Sequence, residues 1–412
     1  MAAATMTTLD AILKEVYGPR IEDQLQEEVV TRKRIERSNE GVTTTRAGGK
    51  YVDFPIHVSR NTGVGWRREL ELLPAAGQQG YAEVHVPLQY GYARTRITGQ
   101  VMELAEEDYQ SFASGLDDEM TRVKDDIAKD ENRIMYGDAA GLLCTVSADG
   151  ANTVTVDNVQ YLEVGERIDI LVKSSGSSTG GMLNRLITAI AETTGVVTYD
   201  GANATITTDG TMGIYREGNY LAGTKREPSG FANIISATIP LHGLDPAAQP
   251  KWASTVRQNP AAAGTPRALS EGIMIEICDA IRKKSGKKVT VIFGSLGARR
   301  SYFNLLTQQR RYTDTKSFAG GFQGLPFNYG TEIPMVEDVD APETLLATKM
   351  YFVHEPSIRI FRNKTWHWAE KGGGILKWIN DYDAWEGMIK CYQEVGVNQR
   401  NAHGLLDDII PG

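Results

Sequence analysis

The stretch that comes nearest to a catalytic or ligand-binding motif is VTVIFGSLGARRS, residues 289–301. Phosphate-binding loops place a glycine-containing turn between a strand and a helix, so that backbone N–H groups hold the anion. This stretch has neither GxGxxG nor GxxxxGK[ST] spacing, and the preceding GKKVT runs into the strand instead of starting a helix. The pattern therefore predicts an ordinary strand-to-helix turn, and an α/β nucleotide-binding enzyme is a minor alternative.

Residue types that bind metals or act as nucleophiles are also scattered. The six histidines lack HxxxH and HExxH spacing, and no GxSxG motif occurs. Cys144, Cys278 and Cys391 are far apart without a CxxC pair, so we expect buried, reduced thiols in a cytosolic chain. The acidic groups at 117–119 and 337–340 lack the spacing of a calcium loop. We predict no catalytic residue, no cofactor and no metal site, and therefore no enzyme.

Composition narrows the remaining classes of function. The chain has 412 residues and a formal net charge of −8, which argues against a dedicated reader of duplex DNA. The N-terminus does not resemble a secretory signal, and no apolar run is long enough for a membrane helix. The basic run 282–288, RKKSGKK, favours a cluster that complements a helix C-terminus over a nucleic-acid patch. We expect a soluble intracellular protein with no membrane partner.

A ribbon at residues 66–88, WRRELELLPAAGQQGYAEVHVPL, raises a different question. Its returning arm alternates apolar and polar residues, which is typical of a strand, and its tip is rich in glycine and proline. A two-stranded hairpin is marginally stable without a surface to lie on. The ribbon therefore either folds over the chain's own sheet or packs on another molecule.

The other elements indicate an α+β protein. Residues 7–17 and 19–37 are predicted to form two short helices with thin apolar stripes. We expect these helices to pack on a surface outside their own segment. Residues 103–136 predict a long spine helix with an apolar stripe and a charged opposite face. The β-branched, turn-rich region 144–222 predicts a small barrel or sandwich. Helices and strands then alternate, ending in the long strand candidate WEGMIKCYQEVGV.

This order of parts resembles the major capsid proteins of tailed bacteriophages (Caudoviricetes), the Hong Kong 97-type fold. The resemblance covers nearly the whole chain and rests on two stretches, GYARTRITGQVMELAEEDYQSFASGLDDEMTRVKDDIAKDENRIMYG and TEIPMVEDVDAPETLLATKMYFVHEPSIRIFRN. It implies six parts: an N-terminal arm (1–55), an extended loop (56–100), the spine helix of a peripheral domain (101–143), an inserted β-barrel or sandwich domain (144–222), an axial domain with peripheral-domain connections (223–365), and C-terminal strands that return to both domains (366–412).

The resemblance also implies a function. A protein of this family self-assembles into hexamers and pentamers of an icosahedral head that encloses double-stranded DNA, and it is part of the virion after assembly in the bacterial cytoplasm. Its extended loop lies across a neighbouring subunit. We therefore expect one set of residues to be buried mainly between subunits: Trp66, Leu70, Leu72, Leu73, Tyr81 and Val84. Four basic residues of the arm are expected to face the DNA: Arg32, Lys33, Arg34 and Arg37.

Departures from the family pattern lead to further expectations. In some members of the family, a lysine of the extended loop forms a covalent cross-link with an asparagine of a neighbouring subunit. In this chain no lysine occurs between Lys50 and Lys124. We predict a shell held non-covalently, with a portal protein as partner and a decoration protein as one further source of stability. Only a few dozen residues precede the ribbon, so a separate scaffolding protein or a removed leader is expected. An encapsulin-like compartment, which shares the fold, is the closest alternative.

Overall fold

The structure is a computed structural model of the whole chain. It describes residues 29–38, 51–100, 109–178, 182–201, 211–220, 226–261, 263–307, 325–330, 332–339, 348–370, 374–380 and 382–412. The predicted helix at 7–17 and most of that at 19–37 lie outside these ranges.

Within these ranges the backbone forms five α-helices and nineteen strands. The helices are α1 (Thr31–Ser38), α2 (Tyr109–Ile134), α3 (Phe231–Ile234), α4 (Glu271–Ser285) and α5 (Leu296–Thr307). The strands are β1 (Tyr51–Ser59), β2 (Gly80–Pro87), β3 (Gln89–Thr98), β4 (Leu142–Asp149), β5 (Thr153–Val156), β6 (Arg167–Val172), β7 (Arg185–Ala191), β8 (Val196–Tyr199), β9 (Met212–Arg216), β10 (Thr255–Arg257), β11 (Val291–Gly294), β12 (Leu325–Asn328), β13 (Glu332–Glu337), β14 (Met350–Val353), β15 (Ile358–Arg362), β16 (His367–Trp368), β17 (Leu376–Trp378), β18 (Ala384–Val397) and β19 (Gly404–Leu406).

A mixed six-stranded sheet has the order β10-β19-β14-β11-β13-β12. Every residue of β11 and β14 is buried, as expected for apolar strands covered on both faces. Helices α4 and α5 cover one face through residues such as Ile277 and Tyr302. The other face joins a second core that includes Phe231, Val395 and Val397. The sheet is therefore the middle layer of the body.

A second sheet is built around the long strand β18. Strands β15, β16 and β17 pair with β18 along its length, and β3 pairs with it antiparallel over ten residues from Gln89 to Thr98. The alternating sequence of β18 predicts this strand, and the prediction is confirmed. Because β3 belongs to this sheet, it joins residues 89–98 to the C-terminal strand β18.

Strands β4 to β9 close into a barrel in the order β4-β5-β8-β7-β6-β9. Its interior is a separate apolar core that includes Val146, Ile168, Ile170, Val197 and Ile214, all fully buried or nearly so. Closure removes the exposed edges that an open sheet of short strands would have. The β-rich composition predicts a small barrel or sandwich over 144–222, and the structure has a closed barrel whose first strand begins at Leu142.

Helix α4 starts at Glu271, because Ser270 is its N-cap and accepts a hydrogen bond from the Ile273 N–H. It ends at its C-cap Gly286, which has the left-handed φ of 74°. Within the region 56–100, for which an extended loop is predicted, β2 pairs with β1 in a hairpin and β3 belongs to the sheet of β18, and its role as an extended loop stays a prediction.

The three cysteines are buried and unpaired, as predicted. Burial raises the pKa of the Cys278 and Cys391 thiols to about 12, and it raises that of Cys144 as well. These thiols are therefore protonated and unreactive at neutral pH.

Candidate inter-subunit surface

The hairpin of β1 and β2 has one face packed against the chain itself. The strands pair antiparallel with Val52 opposite Val86 and Phe54 opposite Val84. Val52, Val84 and Val86 are buried in the core, and the ring of Phe54 stacks on Phe361 at 5.9 Å between centroids. The base of the ribbon is therefore completed by this chain's own body.

The tip of the hairpin, residues 60–79, behaves differently. Its neck is closed by Asn61, whose side chain donates to the Gly77 carbonyl at 3.0 Å and accepts from the Gly63 N–H at 2.7 Å. A Cβ on Gly77 would lie only 2.5 Å from the Asn61 Oδ1. Glycine is required here by the close approach of the two arms.

Beyond this neck, four large apolar side chains extend into solvent. Trp66 is 98% exposed, Leu70 102%, Leu72 90% and Leu73 79%. Arg67 Nε donates to the Leu72 carbonyl at 2.9 Å, and the Arg68 N–H donates to Glu71 at 2.9 Å, so a local turn holds the segment. Leu70 has a φ of 65°, a strained value for a leucine. A built segment that presents its apolar groups outward is typical of a protein interaction site.

The six residues predicted to lie between subunits thus divide into two groups. Trp66, Leu70, Leu72 and Leu73 lie together at the tip. Tyr81, 69% exposed, lies nearer the base, where its ring is 5.5 Å from that of His57. The prediction is wrong for Val84, which is fully buried in this chain's own core, because it faces inward from β2.

The arm residues predicted to contact DNA also divide. Arg32 is buried and its guanidinium lies 3.3 Å from the Glu131 carboxylate, while Arg34 pairs with Glu355 at 2.6 Å. The prediction is wrong for these two residues, because the charge that would contact phosphate is already paired inside the body. Lys33 and Arg37 are exposed and keep the predicted role as a hypothesis.

A buried polar network at the end of α2 was not predicted. Asn132 accepts from the Arg32 N–H at 2.9 Å and donates to Asp338 at 2.9 Å. Asp338 also accepts from the Thr31 N–H at 3.2 Å. Asn132 and Asp338 are 0% and 1% exposed, so the network fastens the N-terminal helix to the end of the spine.

A second part of this network reaches the barrel. Arg133 donates to Glu227 at 2.6 Å and to Asp130 at 2.9 Å, and Asp130 also pairs with Arg216 of β9 at 2.9 Å. Burial alone would raise the pKa of Asp130, but the charges of Arg133 and Arg216 outweigh it and hold that pKa at about 2. The charged residues here are therefore structural.

One signal in the sequence could have indicated this network. Glu131 lies four residues after Ile127 and three before Ile134, so it occupies a position in the apolar stripe of α2. A carboxylate at such a position must find donors when it is buried. Its donors are Arg32, Gln393 and the Trp366 indole, whose Nε1 lies 2.8 Å away.

The turn that resembles a phosphate loop is filled by the chain itself. Ser295 is buried and its hydroxyl accepts from the Ala298 N–H at 3.2 Å, which caps α5. The Gly412 N–H donates to the Gly297 carbonyl at 3.0 Å, and Arg300 Nε donates to the Gly412 carbonyl at 2.6 Å. These contacts occupy the first turn of α5, so they give no support to a nucleotide site.

Among the described residues, one group has the donor types of a metal site. Asp53, Glu83 and His85 lie on the exposed face of the hairpin, with one ligand atom of each within 4.8 Å of the others. A hydrogen bond to Asp53, 2.6 Å long, raises the pKa of His85. This geometry is that of a solvent-exposed ion pair.

Solved structures resemble this fold along almost all of the chain. A chain of the cyanophage A-1(L) capsid asymmetric unit aligns with a TM-score of 0.58 at 14% identity, over 99% of this chain and 100% of that one. A chain of Microbacterium phage Oxtober96 aligns with a TM-score of 0.50 at 8% identity, over 98% and 99%. A chain of the holo-SrpI encapsulin complex from Synechococcus elongatus PCC 7942 aligns with a TM-score of 0.44 at 8% identity, over 100% of this chain and 97% of that one. This similarity is too loose to distinguish a phage capsid protein from an encapsulin.

No protein-family model and no curated protein sequence matches the chain. At the identities found, the structural similarity shows the fold alone. The chain therefore has an α+β fold that it shares with a bacteriophage capsid protein. Within the described part of the chain, none of the helices has both the length and the apolar character needed to cross a membrane.

Proposed function

We propose that this chain is a major capsid protein of a tailed bacteriophage, and that it assembles through its hairpin tip into the closed shell of the head. The observation that carries the proposal is the exposed apolar tip, which a structured neck holds away from the body. The similarity to a cyanophage capsid chain over the whole length supports the same conclusion.

The energetics of the tip favour a partner. Burying a large apolar side chain stabilises by about 1.5–3 kcal/mol, so four such residues represent on the order of 6–12 kcal/mol before association costs. A second copy of the same chain supplies that surface in a closed symmetric assembly, where each tip lies on the next subunit. In this proposal the tip is the extended loop of a Hong Kong 97-type subunit.

The finer assignments follow from the same proposal. Subunits form hexamers and pentamers of an icosahedral head that encloses double-stranded DNA, and the barrel of β4 to β9 is an inserted domain. Helix α2 is the spine of the peripheral domain, and the six-stranded sheet belongs to the axial domain. Scaffolding and portal proteins are expected partners, a decoration protein is a possible one, and assembly takes place in the cytoplasm of the bacterial host.

A shortened hairpin tests the proposal. Replacing residues 60–79 by an Asn-Gly turn keeps the pairing of β1 with β2 and the burial of Val84 and Val86. We expect soluble, folded subunits that fail to form closed shells in negative-stain electron microscopy, whereas the unaltered chain forms megadalton particles on size-exclusion chromatography.

Point variants separate the tip from general surface effects. The triple variant Trp66→Ser, Leu72→Ser, Leu73→Ser keeps the chain length and is expected to block assembly. The control Val164→Ser, Leu183→Ser removes exposed apolar groups of the barrel, 61% and 51% exposed, and is expected to assemble normally. Normal shells from the tip variants would disprove the proposal.

A further inference from the structure

The sheet of β18 has one face that is covered and one that is open. On the covered face, a Cβ on Gly91 would meet Trp366 at 2.6 Å and one on Gly387 would meet Trp368 at 2.9 Å. Gln393 of the same face is bonded to Glu131 of the spine helix. The side chains between these positions along β18 point the opposite way, because successive residues of a strand alternate.

The open face is basic and aromatic. Its cross-strand pairs place Tyr92 opposite Lys390, and Arg96 and Lys377 opposite Glu386. Tyr90 and Tyr92 are 59% and 56% exposed, and the side chains of Arg94 and Arg96 are 60% and 51% exposed. We define the basic face by six residues: Tyr90, Tyr92, Arg94, Arg96, Lys377 and Lys390.

The basic face is positively charged, whereas the whole chain has a net negative charge. Four cations, Arg94, Arg96, Lys377 and Lys390, surround one carboxylate, Glu386, which gives a formal local charge of 4 − 1 = +3 in a chain of net −8. Arg94 and Arg96 share Glu386 at 2.5 and 3.6 Å. In the described residues, no ion pair occupies Lys377 or Lys390, so their charges are available to an external anion.

The aromatic groups add hydrogen-bonding capacity to this charge. Tyr90 packs edge-on against Tyr392 at 5.0 Å between centroids, and the Tyr92 ring lies 6.4 Å from that of Tyr392. Tyrosine hydroxyls, guanidinium groups and ammonium groups are the side chains that contact backbone phosphates without reading sequence. Phosphate contacts of this kind fix a protein on a duplex but carry no sequence information directly.

We infer that the basic face binds the phosphate backbone of double-stranded DNA without sequence preference. The inference deepens the proposed shell function, on which it rests for its setting, because it names the face that turns toward the enclosed DNA. The basic face takes the DNA-facing role that was expected of Arg32 and Arg34 of the arm, because the charges of those two residues are paired inside the body.

Counterion release provides the test. Unassembled full-length chain, isolated by size-exclusion chromatography, is titrated against a fluorescein-labelled duplex of mixed sequence, and anisotropy is recorded at several salt concentrations. A net of about three phosphate contacts predicts a slope of about −2.7 in log affinity against log salt. The double variant Lys377→Gln, Lys390→Gln should lose roughly tenfold in affinity per lysine at about 0.1 M salt, with the slope reduced by about 2.

A charge-matched control addresses the other basic surface of the chain. The variant Lys283→Gln, Lys287→Gln removes two exposed lysines at the end of α4 and is expected to bind DNA like the unaltered chain. Equal or greater loss of affinity in this control would overturn the inference, and so would absence of DNA binding by the unaltered chain. Circular dichroism of each variant verifies the fold.

Electron microscopy of the same variants separates the two proposals. If the Lys377→Gln, Lys390→Gln variant fails to form shells while its DNA affinity is unchanged, another copy covers the basic face and the inference is wrong. Closed shells whose subunits do not bind DNA would contradict this inference and leave the proposed function intact. DNA binding by a chain that forms no shells would contradict the proposed shell function and leave DNA binding by the basic face intact.

Discussion

Replacing Arg32 by methionine tests whether the arm is part of the body. The Arg32 side chain is 4% exposed and that of Glu131 is 10% exposed, and their charged atoms lie 3.3 Å apart. The variant keeps much of the apolar stem of Arg32 but leaves the Glu131 carboxylate buried without its cation. The arm is then held by the remaining contacts of Thr31 and Ile35.

The expected loss follows from these contacts. Removing one partner of a buried ion pair costs about 3–5 kcal/mol, because an uncompensated charge stays in the interior. Glu131 still accepts hydrogen bonds from Gln393 and from the Trp366 indole, so we expect the lower end, about 3 kcal/mol. Combining Arg32→Met with Glu131→Gln should recover part of this loss, with a coupling of about 2 kcal/mol.

Urea denaturation followed by tryptophan fluorescence measures the effect in the relevant region. The chain has six tryptophans, and none lies between Leu142 and Arg216, so the signal reports the body and not the barrel. Lys33→Met, at the exposed neighbouring position, is the control and should change stability by less than about 0.5 kcal/mol. A loss below about 1 kcal/mol for Arg32→Met, together with weaker DNA binding, would refute the structural role and restore the DNA-facing one.

Three further predictions concern separate parts of the chain. Burial raises the pKa of Glu394 from 4.5 to about 8, so the folded chain retains a proton there that the unfolded chain releases; urea titrations at several pH values should therefore show the unaltered chain losing stability relative to Glu394→Gln as pH rises from 4.5 to 8. Gly77→Ala, by forcing a Cβ against Asn61, should disorder the tip and reduce shell yield in electron microscopy without lowering the thermal midpoint of the body. Because no lysine occurs between Lys50 and Lys124, mature particles should give a single monomer band on a denaturing gel, and a ladder of covalent multimers would contradict that.

Several elements were predictable from local patterns alone. The apolar stripe in the sequence of α2 and the alternation in that of β18 each repeat over many residues, and the structure confirms a helix at Tyr109–Ile134 and a strand at Ala384–Val397. The β-branched strands and turns predict a small barrel or sandwich, because strands this short are stable only in a closed or stacked arrangement, and the strand pairing shows that the barrel is the one formed.

Predictions that assigned side chains to surfaces were less successful. Arg32 and Val84 look like many other basic and apolar residues in their segments, yet both are buried by partners that lie elsewhere in the sequence. Glu131 and Asp338 are more than 200 residues apart and meet in one network through Asn132 and Arg32. No periodic pattern encodes such a pair.

The sequence by itself determined the long helix α2, the long strand β18 and the absence of a CxxC pair, because each depends on neighbours within a few residues. Only the tertiary structure decided that the hairpin base is buried by its own body while its tip is not. It alone also assembled the basic face from β3, β17 and β18, which are separated in sequence and become neighbours by strand pairing. The physical reason is that burial and charge partnership depend on which distant segments meet, whereas secondary structure depends on local repetition.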